Sequence, residues 1–113
     1  MSEHCLFCRI IRREVESDII AENDDCLAFT DADPQAPFHA LVVPKEHVSS
    51  LNDVEDPAMA GALALMAAQI ARDAGVADSG YRTVINTNGN GGQSVFHLHL
   101  HVLGGRKLTW PPG

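Results

Sequence analysis

Basic residues are scarce in this chain: eight Lys and Arg stand against fifteen Asp and Glu, a formal charge of −7. Proteins that track nucleic-acid phosphates carry a basic stripe. The one local cluster here, Arg9, Arg12 and Arg13, has the spacing of a solvated helix face. No nucleic-acid partner is expected. Cysteine is sparse as well, with three residues in a short chain. The opening Met-Ser-Glu-His-Cys lacks the basic and apolar regions of a secretion signal, so a disulfide framework is not suggested. Free thiols or a metal are. The longest apolar stretch, around Met59 to Ala71, is too short and too polar at Gln69 to cross a bilayer. A cytoplasmic protein with no membrane partner is expected.

What remains is ordinary for a folded domain. The 113 residues are 45% hydrophobic and 20% charged, enough for one modest core. With no repeat, low-complexity tract or linker, residues 1–113 read as a single domain. Leu6 to Val15 has helical spacing, with Phe7, Ile10 and Ile11 on one face. Ile19 to Glu22 and Cys26 to Thr30 read as a hairpin around Asn23-Asp24-Asp25. Two prolines make Asp33 to Pro37 a loop. His39 to Val43 is a strand ending at Pro44.

The clearest helix begins at Asp56-Pro57, carries Met59, Leu63, Met66 and Ile70, and stops at Gly75. A strand over Tyr81 to Asn86, a glycine-rich loop over Asn88 to Gln93 and a long strand over Val95 to Leu103 complete the chain. Two helices among hairpin-length connections predict an α+β fold with a mostly antiparallel, five-stranded sheet.

The run Phe96-His97-Leu98-His99-Leu100-His101-Val102 carries the chemistry. On a strand, the three histidines share one face and the apolar residues the other. Same-face neighbours lie roughly 6.6 Å apart, so all three cannot ligate one metal; the triplet divides its labour. Cys5-Leu6-Phe7-Cys8 offers two thiolates, and His47 and His97 would complete a closed Cys₂His₂ site, which implies a structural metal. His4 reads as solvated and Cys26 as core.

His99 and His101 remain, beside the loop Gly89-Asn90-Gly91-Gly92-Gln93-Ser94. Glycines followed by a hydroxyl residue let backbone amides approach a phosphate closely. A neutral imidazole can attack phosphorus and form a covalent phospho-histidine. The middle position, His99, is the best placed nucleophile.

At these residues the sequence resembles the histidine-triad family, and within it the branch of histidine-triad nucleotide-binding proteins. Beyond His-x-His-x-His, the segments Ile10-Ile11-Arg12-Arg13-Glu14, Cys26-Leu27-Ala28-Phe29, Asp33-Pro34-Gln35-Ala36-Pro37, Gly91-Gly92-Gln93-Ser94-Val95, Gly104-Gly105-Arg106 and Trp110-Pro111-Pro112-Gly113 look like that branch.

The resemblance implies an α+β fold whose sheet continues across a homodimer, and hydrolysis of purine nucleoside 5′-phosphoramidates to AMP or GMP and an amine. It implies His99 as the nucleophile, His101 as a phosphate ligand and Ser94 as the hydroxyl beside the bridging atom. Asn86 and Gly92 match phosphate or ribose-side contacts, with Gln93 in the same loop, and Asp31 matches the carboxylate on the ribose hydroxyls. Phe29 and Ile19 look like the walls of the base pocket. His39 matches a histidine supporting the nucleophile's surroundings, and Trp110 one that reaches the partner subunit's site. Zinc-containing members of the wider family hold the metal through the positions of Cys5, Cys8, His47 and His97, so a structural zinc is implied. Thr30 stands where close relatives often have histidine and Ala32 where an aliphatic wall residue is usual, which leaves the base preference open.

Dinucleoside polyphosphate hydrolysis, nucleotidyl transfer, a nucleotide-sensing module with little catalysis and a catalytic zinc hydrolase are the alternative readings of the same residues.

Overall fold

The computed structural model describes residues 4–113. Its first helix, α1 (Leu6–Ile11), is capped by Cys5, whose sulfur accepts the Cys8 amide at 3.3 Å. The helix expected to reach Val15 stops earlier. Arg13 turns to φ 63° and its guanidinium pairs with Glu22 at 2.6 Å, drawing the chain toward the sheet.

Strands β1 (Ile19–Glu22) and β2 (Cys26–Thr30) form the expected hairpin. The Asn23 side-chain oxygen closes the turn by accepting the amides of Asp25 and Cys26 at 2.9 and 2.8 Å. Strand β3 (Phe38–Pro44) leads through a short 3-10 turn (Leu51–Asp53) to helix α2 (Pro57–Asp73). Asp56 caps α2 by accepting the Ala58 amide at 2.9 Å, with Pro57 in the first turn, where no amide donor is needed. Strand β4 (Tyr81–Val84) ends two residues before the expected Asn86.

Asn88 to Gln93, expected as a loop, instead contains one helical turn, α3 (Asn88–Gly91). The Gln93 side chain holds it closed: its oxygen accepts the Asn88 amide at 2.9 Å, and its nitrogen donates to the carbonyls of Ser49 and Val95. Gly92, at φ 88°, supplies the left-handed exit. The described residues therefore hold three α-helices rather than two.

Strand β5 (Leu100–Gly104) completes an entirely antiparallel sheet of order β1-β2-β3-β5-β4. The long strand expected over Val95 to Leu103 is a second correction, since residues 95–99 leave the ladder. Two features mark the break: the Leu98 amide donates to the Val48 carbonyl at 2.8 Å, and Pro44 has no amide to donate, its carbonyl accepting the His97 imidazole at 2.8 Å instead of a backbone partner. The last pair of β3 with β5 is Val42 with Leu100.

Alternation divides the sheet between two layers. Ala28, Val42, Leu98, Leu100 and Val102 meet Leu63, Met66 and Ile70 of α2. Leu27, Phe29, Leu41 and Val43 point to the other face, against Phe7 and Ile10 of α1. With six residues against seventeen, α1 covers less of its face than α2 does, and the candidate site opens beside it. No helix among the described residues is long and apolar enough to cross a membrane.

Candidate active site and metal centre

Four donors converge where α1, the segment after β3 and the segment before β5 meet. The ligand atoms of Cys5, Cys8, His47 and His97 all lie within 4.8 Å of one another. His97 Nδ1 is 3.3 Å from Cys5 Sγ, 3.5 Å from Cys8 Sγ and 3.1 Å from His47 Nδ1, and His47 Nδ1 is 3.3 Å from Cys8 Sγ. Tetrahedral zinc, with bonds of about 2.0–2.1 Å to nitrogen and 2.3 Å to sulfur, spaces its donors roughly 3.3–3.8 Å apart. The cluster fits that cage.

His97 is fully buried, and its Nε2–H is committed to the Pro44 carbonyl, which leaves the Nδ1 lone pair facing the sulfurs. Desolvation pushes its pKa down to about 4, against the opposing bond to Pro44, so the imidazole is held in the neutral form that ligates metals. Cys26 is different: it is core, and desolvation raises its thiol to about 11. His4 is exposed, as expected.

The same histidine backbone orients its neighbour. His99 Nδ1–H donates to the His97 carbonyl at 2.7 Å, so the lone pair of the neutral ring sits on Nε2. The Phe7 ring stands edge-on to both imidazoles, with centroids 5.9 Å from His97 and 5.1 Å from His99. The three histidines are thus not an even row. His97 turns to the cysteines, while His99 and His101 remain together with ring centroids 5.1 Å apart.

His101 is fixed from the opposite side. The Gln35 amide donates to His39 Nδ1 at 2.9 Å, which puts the His39 proton on Nε2. That proton reaches His101 Nδ1 at 2.9 Å, and His101 therefore keeps its own proton on Nε2, free to donate to an anion. Asp31 Oδ2 lies 3.3 Å from His39 Nε2 and 4.0 Å from His101 Nδ1. These three side chains are close enough to suggest a second metal cluster. The Gln35 amide argues otherwise, because by donating to His39 Nδ1 it keeps the ring proton on Nε2, the nitrogen that would have to ligate. Desolvation, then the neighbouring His99 and His39, lower the His101 pKa to about 4, opposed by Asp31.

A cavity of about 360 Å³ opens onto this face, lined among others by Phe7, Phe29, Asp31, Ser94, His99 and His101. Its volume suits a small molecule. Ile19 packs as the cross-strand partner of Phe29. Asn86, Gly92 and Gln93 lie outside the described lining, with the Gln93 side chain spent on backbone groups. Trp110 follows β5 in the chain and is 79% exposed, with the guanidinium of Arg82, on β4, 5.9 Å over its ring.

Phe7, Gln35 and Pro44 went unread as site residues in the sequence. Phe7 carried a usable signal, since it lies inside the C-x-x-C pair; the other two act through backbone atoms, which no residue type announces.

The HIT domain family matches residues 12–108 of the chain. A purine nucleoside phosphoramidase of Escherichia coli K12 is 46% identical over 110 residues, covering 96% of this chain and 92% of the relative. The structure of a HIT family hydrolase from Legionella pneumophila Philadelphia 1 superposes with a TM-score of 0.95 at 45% identity, over 97% of this chain and 100% of that one. A zinc-bound histidine triad family protein from Mycobacterium smegmatis superposes at 0.83 and 31% identity, over 95% and 81% of the two chains. With these likenesses running over nearly its whole described length, the chain belongs to the HIT domain family.

Proposed function

We propose that the protein hydrolyses purine nucleoside 5′-phosphoramidates through a nucleotide covalently held on His99. The observation that carries this reading is the 2.7 Å bond from His99 Nδ1–H to the His97 carbonyl, which leaves Nε2 unprotonated beside the cavity. The 46% identity to a purine nucleoside phosphoramidase supports the substrate class.

In the first step the Nε2 lone pair attacks the α-phosphorus. The P–N bond breaks with its electron pair on the amine nitrogen, which takes a proton from the Ser94 side or from solvent. In the second step water attacks phosphorus and gives up a proton to the Ser94 side or to solvent, replacing the one the amine took. The bond to Nε2 breaks with its electron pair on the imidazole, and the nucleoside monophosphate leaves with His99 restored. His101 Nε2–H stabilises charge on the non-bridging oxygens, while the amides of Gly92 and Gln93, expected to help, are given to the Gly89 and Asn88 carbonyls within the helical turn. Asp31 holds the ribose hydroxyls, and Phe29, backed by Ile19, forms the base wall. His39 fixes the His101 tautomer, and Asn86 contacts the phosphate or ribose side.

Cys5, Cys8, His47 and His97 would hold a structural zinc. These four ligands would tie α1 to the segment carrying the triad through the metal and would leave it no open position for substrate. We further infer a homodimer in which the exposed Trp110 reaches the partner's site; light scattering on the purified protein tests it.

The deciding experiment is single-turnover mixing with an adenosine 5′-phosphoramidate, acid quench and intact-mass measurement. A nucleotidyl adduct on the wild type that is absent from His99→Ala is expected. Nucleotide binding with neither adduct nor turnover would replace this reading with a sensing module.

A further inference from the structure

The cavity beneath the imidazoles shares a wall with a second hollow of about 400 Å³: Leu6, Ser94 and Val95 line both. Across the second hollow stands Phe96, 51% exposed, and Leu6 on the shared wall is 45% exposed. Cys5 and His47 of the metal cluster also border it. Scattered apolar side chains on a surface need no explanation. Two large ones flanking a hollow that adjoins the candidate site do. Among the described residues lining the hollow there is no Asp, Glu, Lys or Arg; its polar groups are Ser94, Cys5 and the imidazoles of His4 and His47, which leaves Leu6, Val95 and Phe96 as its apolar surface.

We propose that this hollow is the leaving-group subsite, and that Phe96 with Leu6 selects phosphoramidates of amines bearing an apolar, flat substituent. The inference rests on the hydrolase reading above. In that reading the nucleoside fills the side lined by Phe29 and Asp31, and Ser94 stands beside the bridging nitrogen. The amine departs with the P–N electron pair opposite His99 and passes Ser94 into the adjoining space. Its substituent then lies against Val95, Leu6 and the face of Phe96, where aromatic stacking adds to apolar burial.

The test compares adenosine 5′-phosphoramidates of ethylamine and 3-phenylpropylamine, two primary alkyl amines of similar basicity, so that leaving-group chemistry is matched. The phenylpropyl compound should be hydrolysed with kcat/KM about tenfold higher or more, the scale of one well-placed apolar group. Phe96→Ala should abolish the difference and leave turnover of the ethyl compound unchanged, and Phe96→Leu should keep part of it. Equal kcat/KM for the two compounds in the wild type overturns the proposal, as does a preference that survives Phe96→Ala. Hydrolysis of neither compound overturns the hydrolase reading as well, a result distinct from hydrolysis of both at one rate.

Discussion

His97 and His99 are joined by a single bond, the 2.7 Å contact from the His99 ring to the His97 carbonyl, while the His97 ring faces two cysteines. One residue thus belongs to the metal cluster through its side chain and to the reacting imidazole through its backbone. Disturbing the first is felt at the second.

Metal removal should therefore affect both fold and turnover. Helix α1 has six residues, well short of what is stable alone, so its place depends on Phe7, Ile10 and the cysteine ligands. A metal present at a thousandfold its Kd stabilises by about 4 kcal/mol, on the order of 15 °C in Tm for a domain of this size. Cys8→Ser should lose the metal, drop Tm by that order and lower kcat. Calorimetry with metal analysis checks it; an unchanged Tm in a chelated protein that has lost activity would instead favour a catalytic zinc.

His39→Ala should lower kcat about a hundredfold, the cost of misplacing a reacting group by an ångström or so, with KM little changed. The variant removes the donor to His101 and leaves the Gln35 amide without its acceptor, for about 1–3 kcal/mol of stability. His39→Gln, which keeps an amide donor, should recover part of kcat while His39→Ala does not. Steady-state kinetics on the two variants separate positioning from simple loss of fold.

The His101 shift sets a pH dependence. An unfolded histidine titrates near 6.5, and in the fold desolvation lowers His101 to about 4. Between those values the unfolded chain binds the extra proton and the native one does not, so stability falls as pH drops from about 6.5 toward 4 and this loss levels off below. Urea midpoints at pH 7 and 5 should differ more for the wild type than for His101→Asn. In kcat/KM, the acid limb due to His101 should lie near 4, where a proton on Nδ1 displaces the bond from His39 that orients the ring.

Gly104→Ala tests the packing behind the site. A methyl there would meet the Val76 side chain at 2.9 Å, so overpacking of about 1–3 kcal/mol is expected. The measurement is thermal unfolding. His99 chemistry should persist at low temperature, because Val76 belongs to the α2 face of the sheet and not to the imidazole face.

What the sequence made legible was whatever its local signals encode. Asn23 closes its own hairpin, and Asp56, Pro57 and Gly75 delimit α2 with little help from elsewhere. The cysteine pair and the triad announce their chemistry by residue type, and period-two alternation survived even where the strand did not: Leu98 still joins Leu100 in the core. Illegible features depend on contacts far along the chain. Residues 95–99 leave the sheet where Leu98 gives its amide to Val48 and the His97 ring takes the carbonyl of Pro44, fifty-three positions earlier. The turn at Asn88 is closed by a glutamine that reaches Ser49. Neither partner can be read from a window of neighbours.

Pro44 also determines where regular pairing gives way to function. Were the Leu98 amide not given to Val48, it would be the ladder's next donor to the Pro44 carbonyl that steadies the His97 ring. The imidazole would lose its anchor, and with it the orientation that turns Nδ1 toward the thiolates. In this protein the boundary of the sheet is a specification: the chemistry begins at the place where one amide turns away and leaves one oxygen free.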